Sequence, residues 1–308
     1  MNFGDNFVMA LRGISSNWLR SLLTMLGVLI GVAAVIVLIA VGTGSSQAVE
    51  ARIERLGTNT LTVLNTGRFG FGRATTGTQT RAATLTSADV SLISNHDNAP
   101  DVQSVSPVIT TSETATYSGA TYSTSVVGST PSYLTAADYT VSAGSPITST
   151  DVTNHAQVVD IGADVASNLF ATGSDPIGQQ IQLGSAQFQV VGLLAAKGSS
   201  GLTNQDAVAI APYTAVQDQL TGESQSFSEL LVQGNSQSTL GLAQNEVEDI
   251  LAAQNDTTVA NLPFRILNEA TLLSTAASTT STFTALLGWV AAVSLLVGAI
   301  GVMNIMLV

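Results

Sequence analysis

The residues able to do chemistry are few and scattered. The chain has two histidines and no cysteine. Without cysteine there is no disulfide, no thiolate nucleophile and no cysteine-based metal site. His96 and His155 stand far apart, and neither has a partner at metal-ligand spacing. No G-x-S-x-G elbow and no H-E-x-x-H pair occurs. The carboxylates offer many candidate acids, but no two are singled out by spacing. The stretch GRFGFGRATTGTQT, residues 67–80, has glycines that suggest a phosphate cradle. It lacks a following Lys-Ser/Thr and opens no apolar helix, so it reads as a loop. Neither a catalytic residue, a metal site nor a cofactor is expected.

The elements around these residues are more informative. Of 308 residues, 45% are hydrophobic and only 10% are charged, with a net charge of −12. An acidic chain of this kind repels nucleic-acid phosphates, so no nucleic-acid partner is expected. Charge is scarce because two long segments are apolar. Residues 22–41 read LLTMLGVLIGVAAVIVLIAV without a charged side chain. As a helix that run spans roughly 30 Å, the thickness of a hydrocarbon core. It is too long for the apolar core of a cleaved signal peptide, though Gly42–Ser46 imitates a cleavage site. The second segment, residues 283–308, ends on VGAIGVMNIMLV. Transmembrane helix 1 is therefore expected over 22–42 and transmembrane helix 2 over 283–308.

Both segments carry small residues at helical spacing. Gly27 and Gly31 form a GxxxG pair, and Gly288, Ser294, Gly298 and Gly301 recur in the second segment. Such residues let helix backbones approach closely, and the Asn304 amide is expected to face a neighbouring helix. Ahead of the first segment, Phe3, Phe7, Leu11, Ile14 and Trp18 fall on one helical stripe. With Arg12 and Arg20 beside it, residues 1–21 read as an amphipathic helix lying in a membrane interface. The other reading is the start of a longer membrane helix. Positive charges flank helix 1 almost equally, with Arg12 and Arg20 before it and Arg52 and Arg55 after it. The long acidic middle favours translocation of that region and a cytoplasmic N-terminus.

Residues 43–282 read as a folded extracytoplasmic α+β domain. Strand patterns are predicted at 60–64, 102–109, 121–128, 229–233 and 264–267. Pro107 predicts an edge position or an early end for its strand. Thr86-Ser-Ala-Asp89 has capping-box spacing and predicts a helix start. Leu240–Ala253 has helical apolar periodicity. These make an early and a late strand–helix–strand unit able to share one layer. Between them, about 131–225, an inserted β-rich subdomain is expected, with a hairpin over DPIGQQIQLGSAQFQVVGLLA.

Several stretches resemble one family, the MacB-type (FtsX-like) permease subunits of ABC transporters. Residues 10–44, with Arg-Ser-Leu-Leu-Thr entering the first apolar helix, are similar to that family's N-terminal segment. LGTNTLTV (56–63) resembles the first strand of its periplasmic domain. Residues 169–198 resemble its Leu-Phe…Asp-Pro-Ile-Gly…Val-Val-Gly pattern, and 290–308 its second membrane helix. The resemblance implies a four-helix permease with its large domain between helices 1 and 2. It implies a permease homodimer in a bacterial inner membrane, working with accessory envelope proteins and driven by cytoplasmic ATPases. No ATPase precedes Met1, so the ATPase is expected as a separate subunit. Helices 3 and 4 and the ATPase-coupling segment would lie beyond Val308, so the chain is expected to be the N-terminal part of a permease for export or extraction. The competing readings are a membrane-anchored binding or sensor module without transport, and an ectoenzyme.

Overall fold

The computed structural model divides into two units, Met1–Ala51 with Leu273–Val308, and Arg52–Leu272. It describes residues 59–65, 84–171, 173–200, 203–222 and 226–268, with scattered helical positions and short helical runs between 18 and 44 and between 271 and 303. The glycine-rich stretch 67–80 lies outside the described residues.

In the first unit, the described positions from Trp18 to Gly44 and from Thr275 to Met303 are helical. Large apolar side chains among them, including Met25, Leu29, Ile36, Trp289 and Leu296, are exposed. A Cβ built on Gly42 would lie 3.5 Å from Thr284 Oγ1, so the end of the first apolar segment meets the start of the second. Among the described residues, no helix is long and apolar enough to cross a membrane. Much of the predicted spans 22–42 and 283–308 lies outside those residues.

The second unit follows its polarity pattern closely. Strand β1 (Thr60–Asn65) buries Leu61 and Val63 on one face. Helix α1 (Ser87–Ile93) begins at the capping box: the Asp89 carboxylate accepts the Thr86 N–H at 2.8 Å, and the Thr86 hydroxyl accepts the Asp89 N–H at 3.5 Å. Strand β2 (Val102–Tyr117) turns back through Ser118 and Gly119, both at positive φ, into β3 (Ala120–Ser129). Then come α2 (Ser132–Ala136), β4 (Val141–Gly144), α3 (Ser149–Thr153), β5 (Val158–Ile161) and α4 (Ala163–Leu169). The hairpin β6 (Gln180–Leu183) and β7 (Ala186–Leu194) leads through short β8 (Ser199–Ser200) and β9 (Thr203–Asn204). Strand β10 (Val208–Pro212) runs into α5 (Tyr213–Val216) and a π-helical turn, Gln217–Thr221. The chain closes with β11 (Glu229–Gly234), α6 (Leu240–Gln254) and β12 (Phe264–Asn268).

Strand order β12-β1-β11-β2, with every neighbour antiparallel, interleaves β1–α1–β2 with β11–α6–β12. This is a double split βαβ layer. Helices α1 and α6 pack together over it, and Ile93, Val247 and Leu251 join Leu61, Leu230 and Val232 in the core.

Apart from β8 and β9, which pair only with each other, the remaining strands pair in a cycle, β2-β3-β10-β5-β7-β6 and back to β2, with β4 added on β7. A sheet closed in this way has no free edge within the cycle. Alternation along β7 sends Ala186, Phe188 and Val190 into the core with Ile161, Ile181 and Leu183. Helix α4 touches β2, β3, β7 and β10, so it lies across one end of this ring.

Strand β2 runs on through Pro107, and Pro107 does lie at an edge: among the described residues β2 there has β11 on one side and no strand on the other. The Ser228 N–H donates to Val108 O, so Val108 faces β11 and Pro107 faces the other way. Pairing with β3 begins only at Ile109, so the missing Pro107 N–H breaks no ladder bond. One sixteen-residue strand serves both the layer and the ring: β11 pairs with Val102–Val108 and β3 with Ile109–Tyr117.

Candidate functional site

The clearest concavity lies where α4 crosses the ring. It is a cleft of about 560 Å³ between Ala163, Ala166, Ser167 and Phe170 on one side and Leu193–Ala196 on the other, with Ser142 and Pro176 at its margins. The local sequence explains its shape. Small residues on the outer face of α4 leave space, while Val165 and Leu169 on the inner face anchor the helix in the core. No acid, base or histidine lines it. Such a surface can take up an uncharged or apolar group, but it presents no nucleophile or proton donor of altered acidity.

Beside the cleft, the loop from β7 to β10 is held by buried Asp206. Its carboxylate accepts the Lys197 N–H at 2.6 Å and the Gly198 N–H at 2.9 Å. The Lys197 ammonium donates to Ala137 O at 2.6 Å and sits 4.6 Å from the centre of the Tyr139 ring. Tyr139 donates to Gln205 O at 3.3 Å. Burial, with Asp206 nearby, pushes its phenol up to about 12. Burial, with Tyr139 and Glu229 nearby, raises the Tyr133 phenol as well. These are groups held neutral and tied down, a structural clamp rather than an acid–base pair.

A second buried carboxylate, Asp160, lies in β5. Burial raises it to about 6, opposed by the Ile147 N–H that it accepts and reinforced by Asp151. His155 pairs through Nδ1 with Asp218 at 2.5 Å on the surface. Among the described residues no hydroxyl bonds its other ring nitrogen, and no group of side chains could hold a metal ion.

Of the residues singled out in the sequence, Trp18 and Gly288 are described. Both are helical; Trp18 is exposed, and a Cβ built on Gly288 would meet nothing within 4 Å. Gly27, Gly31, Ser294, Gly298, Gly301, Asn304, Phe3, Phe7, Leu11 and Ile14 lie outside the described residues. The cleft and the Asp206 clamp were not anticipated. The one available signal was Asp160, an acid inside the apolar run VVDI.

A split βαβ layer, with a strand ring inserted between its halves and an uncharged cleft beside it, makes a two-part domain. Two solved structures share the fold. The periplasmic region of MacB from Actinobacillus actinomycetemcomitans superposes with a TM-score of 0.57 at 21% identity, covering 72% of this chain and 94% of that one. The extracellular domain of the noncanonic ABC-type transporter YknZ from Gram-positive bacteria gives 0.55 at 17% identity, covering 68% and 100%. The family model for the MacB-like periplasmic core domain matches residues 21–250, and the chain belongs to this family. It is 35% identical to the macrolide export ATP-binding/permease protein MacB of Rhodospirillum rubrum, over 100% of this chain and 45% of that protein. The MacB protein of Azoarcus sp. is 36% identical over 97% and 43%. The chain thus spans less than half the length of these relatives.

Proposed function

We propose that the chain is part of an ABC-transporter permease, with residues 22–42 and 283–308 as its first two membrane helices and 43–282 as its extracytoplasmic domain. The observation that carries this reading is the match to MacB proteins along the whole chain, both apolar segments included. The exposed apolar side chains of the described helical positions suit a lipid surface. Gly27, Gly31, Gly288, Ser294, Gly298, Gly301 and Asn304 serve helix packing, within one permease or across a homodimer. Phe3, Phe7, Leu11, Ile14 and Trp18 hold the N-terminal helix in the cytoplasmic interface of a bacterial inner membrane.

In this reading the chain does no bond-breaking chemistry of its own. A cytoplasmic ATPase subunit hydrolyses ATP, and its motion passes through the membrane helices to the domain that handles substrate for export or extraction. The test is co-purification of the full-length permease with an ATPase and vanadate-sensitive ATP hydrolysis by the pair. Purification with no ATPase under mild solubilisation contradicts the proposal.

A further inference from the structure

The Asp160 carboxyl group is fully buried and only half satisfied. Oδ2 accepts the Ile147 N–H at 3.1 Å, while Oδ1 has no hydrogen-bond partner. An orphaned buried oxygen of this kind calls for an explanation. The register between β5 and β7 shifts between Val159 and Asp160, which sets the carboxyl against Gly192. A Cβ at Gly192 would collide with Oδ1, so the missing side chain is what makes room for the acid.

Among the described residues no cation answers it. Strands β4, β7 and β10 and residues 144–148 contain no charged side chain. On the neighbouring helices, Asp151 of α3 adds a like charge, and Asp164 of α4 is bonded to the Asn204 amide at 2.6 Å. The His155 ring is taken by Asp218.

What Asp160 holds is the connection between β4 and α3. That connection docks through two bonds, the Ser145 N–H to Val191 O at 2.9 Å and the Ile147 N–H to Asp160. The Ile147 side chain is buried beneath it. We propose that Asp160 is a proton-operated latch: residues 144–148 are docked firmly when its carboxyl is neutral and loosen when it is ionised. A neutral acid loses little by being dry, whereas a carboxylate gains hydration once the connection lifts. Strand β4 carries Ser142 at the margin of the cleft, so the latch also governs that wall.

The sign follows from linkage. The docked form binds the proton more tightly than the lifted form, in which Asp160 has its ordinary acidity. Lifting therefore becomes easier as pH rises from about 4 to about 6, and changes no further above that.

The test is hydrogen–deuterium exchange of the whole chain in detergent micelles at pH 4.5 and 7.5, with intrinsic rates corrected. Protection of the Ser145 and Ile147 amides is expected to fall roughly tenfold or more between these values. Protection of α6 is expected to stay constant, and Asp160→Asn to hold the two amides protected at both. Equal protection of the two amides in the native chain at both pH values overturns the proposal, and so does a variant that keeps the native pH dependence. Should Asp160→Asn not fold, the native profile decides: a fall confined to this connection supports the latch, and a uniform fall overturns it.

Discussion

Ser129 donates a 2.7 Å hydrogen bond to the carbonyl of Pro107, at the point where β2 leaves β11 and takes up β3. Ser129 is fully buried, so the bond is closed off from water. It supplies the Pro107 carbonyl with the donor that no strand provides there. Next to it Ser106 and Ser132 share a 2.8 Å hydroxyl bond. The junction between the layer and the ring is thus a small polar seam in a mostly apolar interior.

Replacing Ser129 by Ala leaves that carbonyl buried and unpaired. We expect Ser129→Ala to lower stability by about 1–3 kcal/mol, read from urea unfolding of the purified chain. A change within error would mean that the seam bond contributes nothing to stability.

Asp206 predicts a graded pair of variants. Asp206→Ala removes both acceptors from the Lys197 and Gly198 amides and should cost about 2 kcal/mol or more. Asp206→Asn keeps one acceptor oxygen and should lose less. Limited proteolysis between β7 and β10 should speed up in the same order.

Asp160 predicts a stabilising variant. Its folded-state acidity is weakened to about 6, so the ionised form is a cost carried above that pH and relieved as pH falls towards 4. Asp160→Asn keeps an acceptor for Ile147 without the charge. Thermal unfolding should show it more stable than the native chain by about 1–3 kcal/mol at pH 7.5, with the gain gone near pH 4.

Phe188 tests the ring. It is fully buried among Ile161, Ile181 and Leu183 inside the closed strand cycle. Phe188→Ala should cost about 3–5 kcal/mol in unfolding free energy. A loss below 1 kcal/mol would mean the ring has no packed centre.

Much of this architecture was legible locally. The Thr86–Asp89 capping box, the periodicity of α6 and the alternation of the β6–β7 hairpin depend on neighbours a few residues away, and the structure shows all three. The course of β2 through Pro107 was not legible. Whether a missing N–H matters depends on which side its partner strand lies, and β11 is more than a hundred residues distant. Closure of the ring rests on the pairing of Ala115 and Thr116 with Leu183 and Gln182, again remote in sequence. The cleft is made by what small side chains leave empty, and Ala163 and Ala166 carry no motif. An acid inside VVDI hints at Asp160 in the sequence, but which elements surround it depends on strands remote in the chain.

The central claim is that the two-part domain lies outside the membrane and the N-terminus inside. The chain has no cysteine, so once any cysteine elsewhere in the full-length protein is replaced, a single introduced cysteine reports its own position. Gln237→Cys lies on an exposed loop of the domain, and Ser16→Cys lies ahead of the first apolar segment. The decisive measurement is labelling of each variant of the full-length protein by a membrane-impermeant maleimide on intact spheroplasts. The account predicts labelling at Gln237→Cys at once, and at Ser16→Cys only after lysis. Labelling at Ser16→Cys in intact spheroplasts with protection at Gln237→Cys would contradict it.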